Sequence, residues 1–381
     1  MKSGDGDSTR NVEAMRGIAA MIVAYFHCRV IAWVGIREYI AGHHALFSLD
    51  TALAYLTIPF VWGSIGVPIF FVISGYCIHR SHAARLARNP LYRLDAGDFL
   101  LRRFIRIYPV LFCALMLTFA LDSFSASYWP HNDRLGDTGL FAFAGNLLAL
   151  QGITAPTYGS NGALWTLSLE IQFYALYPLL FAVRRRIGTN WTLAGLIVLG
   201  AVSYAWLERR GIIVFSSYWA SWYLGAWIAE REVRGQRVRK GLVFAVAPLM
   251  LVLGCVAPTQ YVQFQFWAMA FAPFLEWMLH ARASRALVVR ALEKIGEFSY
   301  SLYIVHIPIF VALVSWRFHS IRPVSILWSM GFFLVALAVA YVFHLLVERP
   351  AMGVLGRMSA RRSAARASLP PQTPVPVDGR S

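Results

Sequence analysis

Charged side chains are scarce in this sequence. Asp, Glu, Lys and Arg together make up 14% of the 381 residues, whereas hydrophobic residues make up 58%. Soluble globular domains carry roughly a quarter charged residues and must cover their apolar side chains with them. The composition therefore argues against a water-soluble fold.

Cysteine is also rare, and other features of secreted or metal-binding proteins are missing. The four cysteines Cys28, Cys77, Cys113 and Cys255 all lie in apolar runs, and none forms a CxxC pair. No metal site is therefore expected. The polar segment 1–10 is not followed by an apolar run with a small-residue cleavage site, so we predict no removable signal peptide.

Long apolar runs are what the sequence does have. Each is about 17 to 25 residues long, enough to cross a hydrocarbon core as a helix. Backbone groups in lipid need partners within the same segment, and no alternating barrel pattern is present. We therefore predict an all-α polytopic integral membrane protein with about ten transmembrane helices. The predicted spans lie near 17–35, 60–79, 104–121, 164–183, 191–207, 212–229, 241–257, 261–280, 297–316 and 324–347.

The basic residues predict the orientation of these spans. Lys and Arg outnumber Asp and Glu by 35 to 19, which gives a formal net charge of +16. With both termini cytoplasmic, 28 Lys and Arg fall in cytoplasmic segments and six in outer loops, as the positive-inside rule requires. The basic residues are thus explained by topology, and we expect no nucleic-acid partner. The apolar stretch 140–151 is too short to cross, and counting it would invert the pattern after it.

Three regions follow from this organisation. We predict a polar tail at 1–10, a transmembrane domain at 11–349, and a basic, Pro-rich cytoplasmic tail at 350–381. The last region lacks apolar periodicity, so it is predicted to be disordered.

Ionisable residues in the first span are candidates for function. Arg16 and His27 are eleven positions apart, which returns to nearly the same helix face about 16 Å further along. Such residues in a membrane span usually face a bundle interior or a polar cavity. The alternative is that His27 only hydrogen-bonds a neighbouring helix and Arg16 only anchors the cytoplasmic end.

Arg103 and Arg106 open the third span one helical turn apart. Paired guanidinium groups suit bidentate recognition of phosphate, so a phosphorylated cytoplasmic ligand fits this position. The alternative is a positive-inside anchor.

Two later spans carry polar groups at membrane depth. Glu170 follows Trp165 in the span at 164–183, and a lone carboxylate there needs a partner. Tyr303 and His306 share one helix face in the span at 297–316. Glu170 could orient a catalytic histidine or bind a hydroxyl, and the alternative is a structural bond between helices. For Tyr303 and His306 the alternative is packing with a satisfied hydrogen bond. The small residues of 66–76 suggest only close helix packing.

Taken in order, these segments resemble the acyltransferase-3 family of membrane O-acyltransferases, of the kind that modifies glycans and exopolysaccharides. The resemblance covers about residues 11–349, although Pro68 replaces an acidic residue that many members carry. It rests on five motifs: Arg16 to His27, 66–76, Arg103 to Pro109, Trp165 to Glu170, and Ser299 to Pro308.

The resemblance implies transfer of a short acyl group, often acetyl, from cytoplasmic acyl-CoA to an acceptor hydroxyl. His27 would be the general base or an acyl relay. Arg16 would stabilise anionic character or position the donor, and Glu170 would hold acceptor hydroxyls or orient His27. Arg103 and Arg106 would bind acyl-CoA. The residues expected to contact substrate are Tyr303, His306 and Trp165.

The expected partners follow from this reaction. Acetyl-CoA or another short acyl-CoA is a donor substrate, with no permanently bound cofactor, and the acceptor is a glycan, lipid-linked glycan or small hydroxylated molecule. The protein is expected in the cytoplasmic (inner) membrane, among its lipids. A proton-coupled transporter or flippase would use similar buried ionisable groups without consuming acyl-CoA. A non-catalytic scaffold would not need ionisable groups at matched depths.

Overall fold

A computed structural model describes residues 3–42, 47–237 and 240–367 of the protein. Most of the chain in these ranges is helical, and the ranges contain no β-strand, only an isolated bridge between Gln151 and Ala155. This confirms the predicted all-α class.

Fifteen α-helices follow one another in the described ranges. They are α1 Ser3–Ala32, α2 Ile36–Ala41, α3 Leu49–Leu56, α4 Gly66–Arg88, α5 Ala96–Tyr128, α6 Leu140–Leu147, α7 Leu164–Ile187, α8 Thr189–Trp206, α9 Phe215–Val233, α10 Lys240–Val256, α11 Gln260–Leu279, α12 Leu287–Glu297, α13 Ser299–Phe318, α14 Leu327–Phe343 and α15 Arg349–Ala367. Two 3₁₀ segments, Ile58–Ile65 and Glu208–Arg210, and a π-helical turn, His344–Glu348, complete the helical structure.

Each of the ten predicted spans overlaps one of these helices: α1, α4, α5, α7 to α11, α13 and α14. In the described part of the chain, seven helical segments are long and apolar enough to cross a membrane. Helix α10 is shorter, and α9 and α11 are more polar. The protein is therefore a multi-pass membrane protein, while the count of ten and the cytoplasmic termini stay predictions. Helix α6 has eight residues and is too short to cross.

Close helix packing places α4 beside α9. A side chain at Gly75 would collide with the carbonyl oxygen of Trp222, and one at Gly225 with that of Val72. Glycine at both positions lets the two backbones touch, as small residues do in membrane helix pairs. The packing role predicted for 66–76 is thus confirmed at Gly75.

Helix α13 forms the centre of the bundle. Among the seven candidate spans, α13 has the largest buried share of its apolar segment, at 72%. It packs against α1, α5 and α14. Polar side chains on α13 therefore lie inside the protein, where they meet partners from other helices.

The ends of the chain differ from the predicted tails. Helix α1 begins at Ser3, within the predicted polar tail 1–10. The structure places residues 350–367 in helix α15, where we predict disorder, and the Ala- and Arg-rich sequence of this segment favours a helix. Residues 368–381, with the Pro-rich part, lie outside the described residues.

Candidate active site

A cavity of about 280 Å³ opens between α1, α4, α5, α7 and α13. Of the predicted site residues it brings together Arg16, Arg103, Arg106, Glu170 and Tyr303. The other polar side chains that line it are Glu13, Ser74, Cys77, Thr166, Tyr174, Ser299 and Tyr300. Five helices far apart in sequence thus contribute to one polar space inside an apolar bundle.

The three arginines of the cavity differ in whether they form an ion pair. Arg16 donates to Glu13, with 3.2 Å between Nη1 and Oε1. Arg103 and Arg106 form no ion pair within the described ranges, and the guanidinium of Arg103 stacks 5.5 Å above the ring of Tyr174. Two guanidinium groups without an ion pair make this part of the cavity suited to an anion.

Glu170 is held by hydroxyl groups. Its Oε1 accepts from Ser74 Oγ at 3.1 Å and from the hydroxyl of Tyr174. Trp222 Nε1 donates to Ser74 Oγ at 3.2 Å and fixes that serine in turn. The second oxygen, Oε2, has no hydrogen-bond partner among the residues described. Glu170 is thus fixed in place with one free acceptor, and the structure does not bring it to His27.

His27 meets His306 instead. Nδ1 of His27 lies 2.8 Å from Nε2 of His306, and the two rings stack with their centroids 5.0 Å apart. His306 is fully buried, whereas His27 is half-buried. The pair does not line the cavity itself. It lies directly behind the cavity wall, because the ring of Tyr303 is 5.8 Å from that of His306.

The partners of the pair assign its protons. Nδ1 of His306 lies 2.7 Å from the carbonyl oxygen of Tyr303, and a carbonyl only accepts, so this nitrogen carries hydrogen. In the neutral ring, Nε2 of His306 is then an acceptor and takes a hydrogen bond from Nδ1–H of His27. Nε2 of His27 is left with its lone pair and without a hydrogen-bond partner in the described structure. The arrangement leaves one unprotonated imidazole nitrogen, Nε2 of His27, without a partner among the described residues.

Tyr303 joins the histidine pair to α7. Its hydroxyl forms a hydrogen bond of 2.5 Å with Thr166 Oγ1, and its ring packs edge-on against Phe70. Tyr303 therefore separates the cavity from His306 and is rigidly placed.

Trp165 lies away from the cavity. Its ring packs against Tyr218 and Phe264, with centroids 5.9 and 6.1 Å away. The five-residue step to Glu170 turns the helix by about 140°, so the two side chains leave α7 in different directions. The structure therefore gives no support to the substrate contact predicted for Trp165.

The sequence interpretation missed several cavity residues. Thr166 and Tyr174 lie four positions before and after Glu170, so all three share one face of α7. This spacing was the available signal. Ser74 had no such signal, because its partner Glu170 is on another helix.

The family of this chain is shown by comparison with known proteins. A family described as an acyltransferase domain, acyltransferase-3, matches residues 9–345. The chain belongs to the acyltransferase-3 family. It is therefore an acyltransferase, as the sequence motifs predict, and the cavity described above lies within the matched region.

Relatives within the curated proteins include acyltransferases with assigned names. Acyltransferase MdmB of Streptomyces mycarofaciens is 25% identical over 370 residues, covering 86% of this chain and 89% of MdmB. Peptidoglycan O-acetyltransferase OatA of Listeria monocytogenes is 28% identical over 184 residues, 45% of this chain and 29% of OatA. The O-acetyl transferase of Shigella phage Sf6 is 33% identical over 150 residues, 36% of this chain and 42% of that protein. No solved structure matches the chain.

Proposed function

We propose that this acyltransferase moves a short acyl group, acetyl in the first instance, from cytoplasmic acyl-CoA to a hydroxyl of a glycan or lipid-linked glycan. The observation that carries the proposal is the cavity, which joins two unpaired arginines to a fixed carboxylate beside a histidine pair. The relatives named as O-acetyltransferases, one of them for peptidoglycan, support an O-acetyl product and a glycan acceptor.

The donor enters at the arginine end. Arg103 and Arg106 are the unpaired cations of the cavity, and they bind the phosphates of acyl-CoA by charge-assisted hydrogen bonds. The positive-inside charge pattern supports a cytoplasmic position for this end, where acyl-CoA is made. The proposed location of the protein is the cytoplasmic membrane. Acyl-CoA is a substrate that leaves as CoA after each turnover.

His27 supplies the general base. His27 does not line the cavity, so the acceptor hydroxyl must reach it past Tyr303. Nε2 of His27 then takes the proton of this hydroxyl while the hydroxyl oxygen attacks the thioester carbonyl carbon. The carbon–sulfur bond then breaks, and the CoA thiolate recovers the proton from His27. Positioned acid–base groups contribute about 10²–10⁴-fold to the rate. His306 acts as a positioning residue that keeps the proton of His27 on Nδ1.

The remaining polar groups orient the reactants. Glu170 accepts a hydrogen bond from an acceptor hydroxyl through Oε2, since Oε1 is occupied by Ser74 and Tyr174. Arg16 stabilises the negative charge that develops on the donor side of the cavity. An acyl-histidine relay would use the same lone pair of His27 as a nucleophile, and an acyl group trapped on His27 would identify it.

Membranes from cells that make the protein test the donor. Radiolabel should move from acetyl-CoA into endogenous glycan or lipid, and membranes without the protein should show no such transfer. The transfer should persist when an uncoupler collapses the proton gradient. Substrate movement that needs the gradient and consumes no acyl-CoA would overturn the proposal in favour of a transporter.

A further inference from the structure

The first turn of α13 forms part of the cavity wall. The helix begins at Ser299, two residues after α12 ends at Glu297, and continues for 20 residues. The first backbone N–H groups of a helix have no partner within it, and the helix dipole adds partial positive charge there. This end of α13 therefore favours an anion, but a helix end alone does not define a ligand.

Two side chains of this turn point to a ligand. Ser299 lines the cavity and is fully buried, yet its Oγ has no hydrogen-bond partner anywhere in the described ranges. The hydroxyl of Tyr300, which also lines the cavity, is buried and unpartnered in the same way. Buried hydroxyl groups without partners are unfavourable and rare in native proteins. A ligand that accepts hydrogen bonds would satisfy both.

The charges around this turn select the class of acceptor. Arg103 and Arg106 line the same cavity and form no ion pair in the described structure, although the carboxylate of Glu170 interacts with both through space. Arg16 is paired with Glu13, so the cavity holds three arginines against two carboxylates. Within the described ranges, two arginines without an ion pair, two hydroxyl groups without a hydrogen-bond partner and the first residues of a helix thus line one cavity. A phosphate has enough oxygens and charge to accept from all of them.

The next serine shows that this geometry is particular to the cavity side. Ser301 Oγ donates to Glu348 Oε2 at 2.6 Å, so its hydroxyl is already used. Glu348 also accepts from Nδ1 of His344 at 2.9 Å. Ser301 is therefore a matched control, a serine in the same turn that faces protein partners.

We propose that Ser299, Tyr300 and the first N–H groups of α13 form, with Arg106, a subsite for a phosphate ester of the acyl donor. The inference rests on the proposed function, because it takes acyl-CoA as the donor. It adds two hydroxyl-bearing side chains and the N-terminus of a helix to the arginines as groups that contact the donor. A phosphorylated, lipid-linked acceptor has the same group, so the test must separate donor from acceptor.

The test measures binding of radiolabelled acetyl-CoA to the full-length protein purified in detergent. Acetyl-dephospho-CoA, S-acetyl-4′-phosphopantetheine and S-acetyl-pantetheine then compete for the site. The variants are Ser299→Ala, Tyr300→Phe and the control Ser301→Ala, each checked for folding by its elution profile and thermal unfolding. Removing one hydrogen bond to a charged group should weaken binding about 10-fold or more.

The expected result has two parts. Ser299→Ala and Tyr300→Phe should each weaken the binding of acetyl-CoA and of the other phosphorylated competitors. S-acetyl-pantetheine has no phosphate, so it should bind to both variants as it binds to wild type. Ser301→Ala should bind acetyl-CoA normally. Ser299→Ala should also unfold at the same or a higher temperature without ligand, because it removes an unsatisfied buried hydroxyl.

Three outcomes would overturn the inference. If the variants lose affinity for S-acetyl-pantetheine as much as for acetyl-CoA, a phosphate contact is excluded. Normal acetyl-CoA binding by both variants would exclude the subsite while leaving the proposed function intact. Normal donor binding with a loss confined to a phosphorylated acceptor, compared with its dephosphorylated form, would assign the subsite to the acceptor. Wild-type protein that binds none of the donors would instead refute the proposed function.

Discussion

Nδ1 of His27 lies 2.8 Å from Nε2 of His306, so two rings from opposite ends of the chain form one hydrogen-bonded pair. The Tyr303 carbonyl at the far side of His306 gives the pair a direction, with the free lone pair on Nε2 of His27. Family membership shows that the protein is an acyltransferase, and in the proposed function this pair supplies the base.

The pair predicts different effects of two His306 substitutions. His306→Leu removes the acceptor for Nδ1–H of His27, so the proton is no longer confined to that nitrogen, and kcat should fall about 10²-fold or more. His306→Gln keeps an acceptor oxygen and should restore a large part of kcat. The measurement is kcat and the pH profile of kcat/KM for both variants at equal thermal stability. Equal activity of the two variants would contradict a positioning role.

Arg103 and Arg106 should act on donor affinity. In the proposed function Arg106 binds the donor phosphates, so Arg106→Gln should raise KM for acetyl-CoA about 10-fold while kcat changes less. Arg102→Gln is the matched control, because Arg102 donates to Asp98 at 2.9 Å and does not line the cavity. Steady-state kinetics with varied acetyl-CoA provide the measurement. Equal effects of the Arg106 and Arg102 substitutions would mean that both only anchor the helix.

Glu170 should act on the acceptor. Glu170→Gln keeps the size of the side chain and removes its charge, so hydrogen bonds from acceptor hydroxyls weaken and KM for the acceptor should rise about 10-fold. KM for acetyl-CoA should stay near the wild-type value. Varying each substrate at saturation of the other separates these effects. A rise in KM for the donor alone would place Glu170 in the donor site.

A second buried network predicts an effect on stability. Glu230 Oε1 lies 2.8 Å from Nε2 of His79, and Oε2 accepts from Arg184 at 2.5 Å. Glu230→Ala leaves a buried guanidinium without its partner and should destabilise the fold by about 3–5 kcal/mol. Glu297→Ala is the control, since its pair with Lys294 is exposed and should contribute little. Thermal unfolding in detergent measures both, and equal melting temperatures would contradict the prediction.

Much of the fold could be predicted from the sequence, because each span is a local property. Length and apolarity locate a helix without knowledge of its neighbours, and all ten predicted spans overlap helices. Helix periodicity also predicts which residues share one face of a single helix, as Thr166, Glu170 and Tyr174 do on α7. The tail was harder, because the segment at 350–367 is polar but made of good helix formers.

The site could be predicted only in part, because its contacts join different helices. Arg16, Arg103, Arg106, Glu170 and Tyr303 do meet at one cavity. Helix periodicity alone could not decide whether Glu170 or His306 is the partner of His27, since either could lie at that depth. The direction in which Trp165 leaves α7 could be predicted from its five-residue spacing to Glu170. That direction argues against a place for Trp165 in the cavity.

Transfer of radiolabel from acetyl-CoA to endogenous glycan or lipid, in membranes with matched amounts of protein, tests the central claim most directly. His27→Ala should lose transfer about 10²-fold or more, since the base is gone. His131→Ala, which alters an exposed histidine in the segment between α5 and α6, should transfer as wild type does. Transfer by folded His27→Ala protein at the wild-type rate would contradict the account.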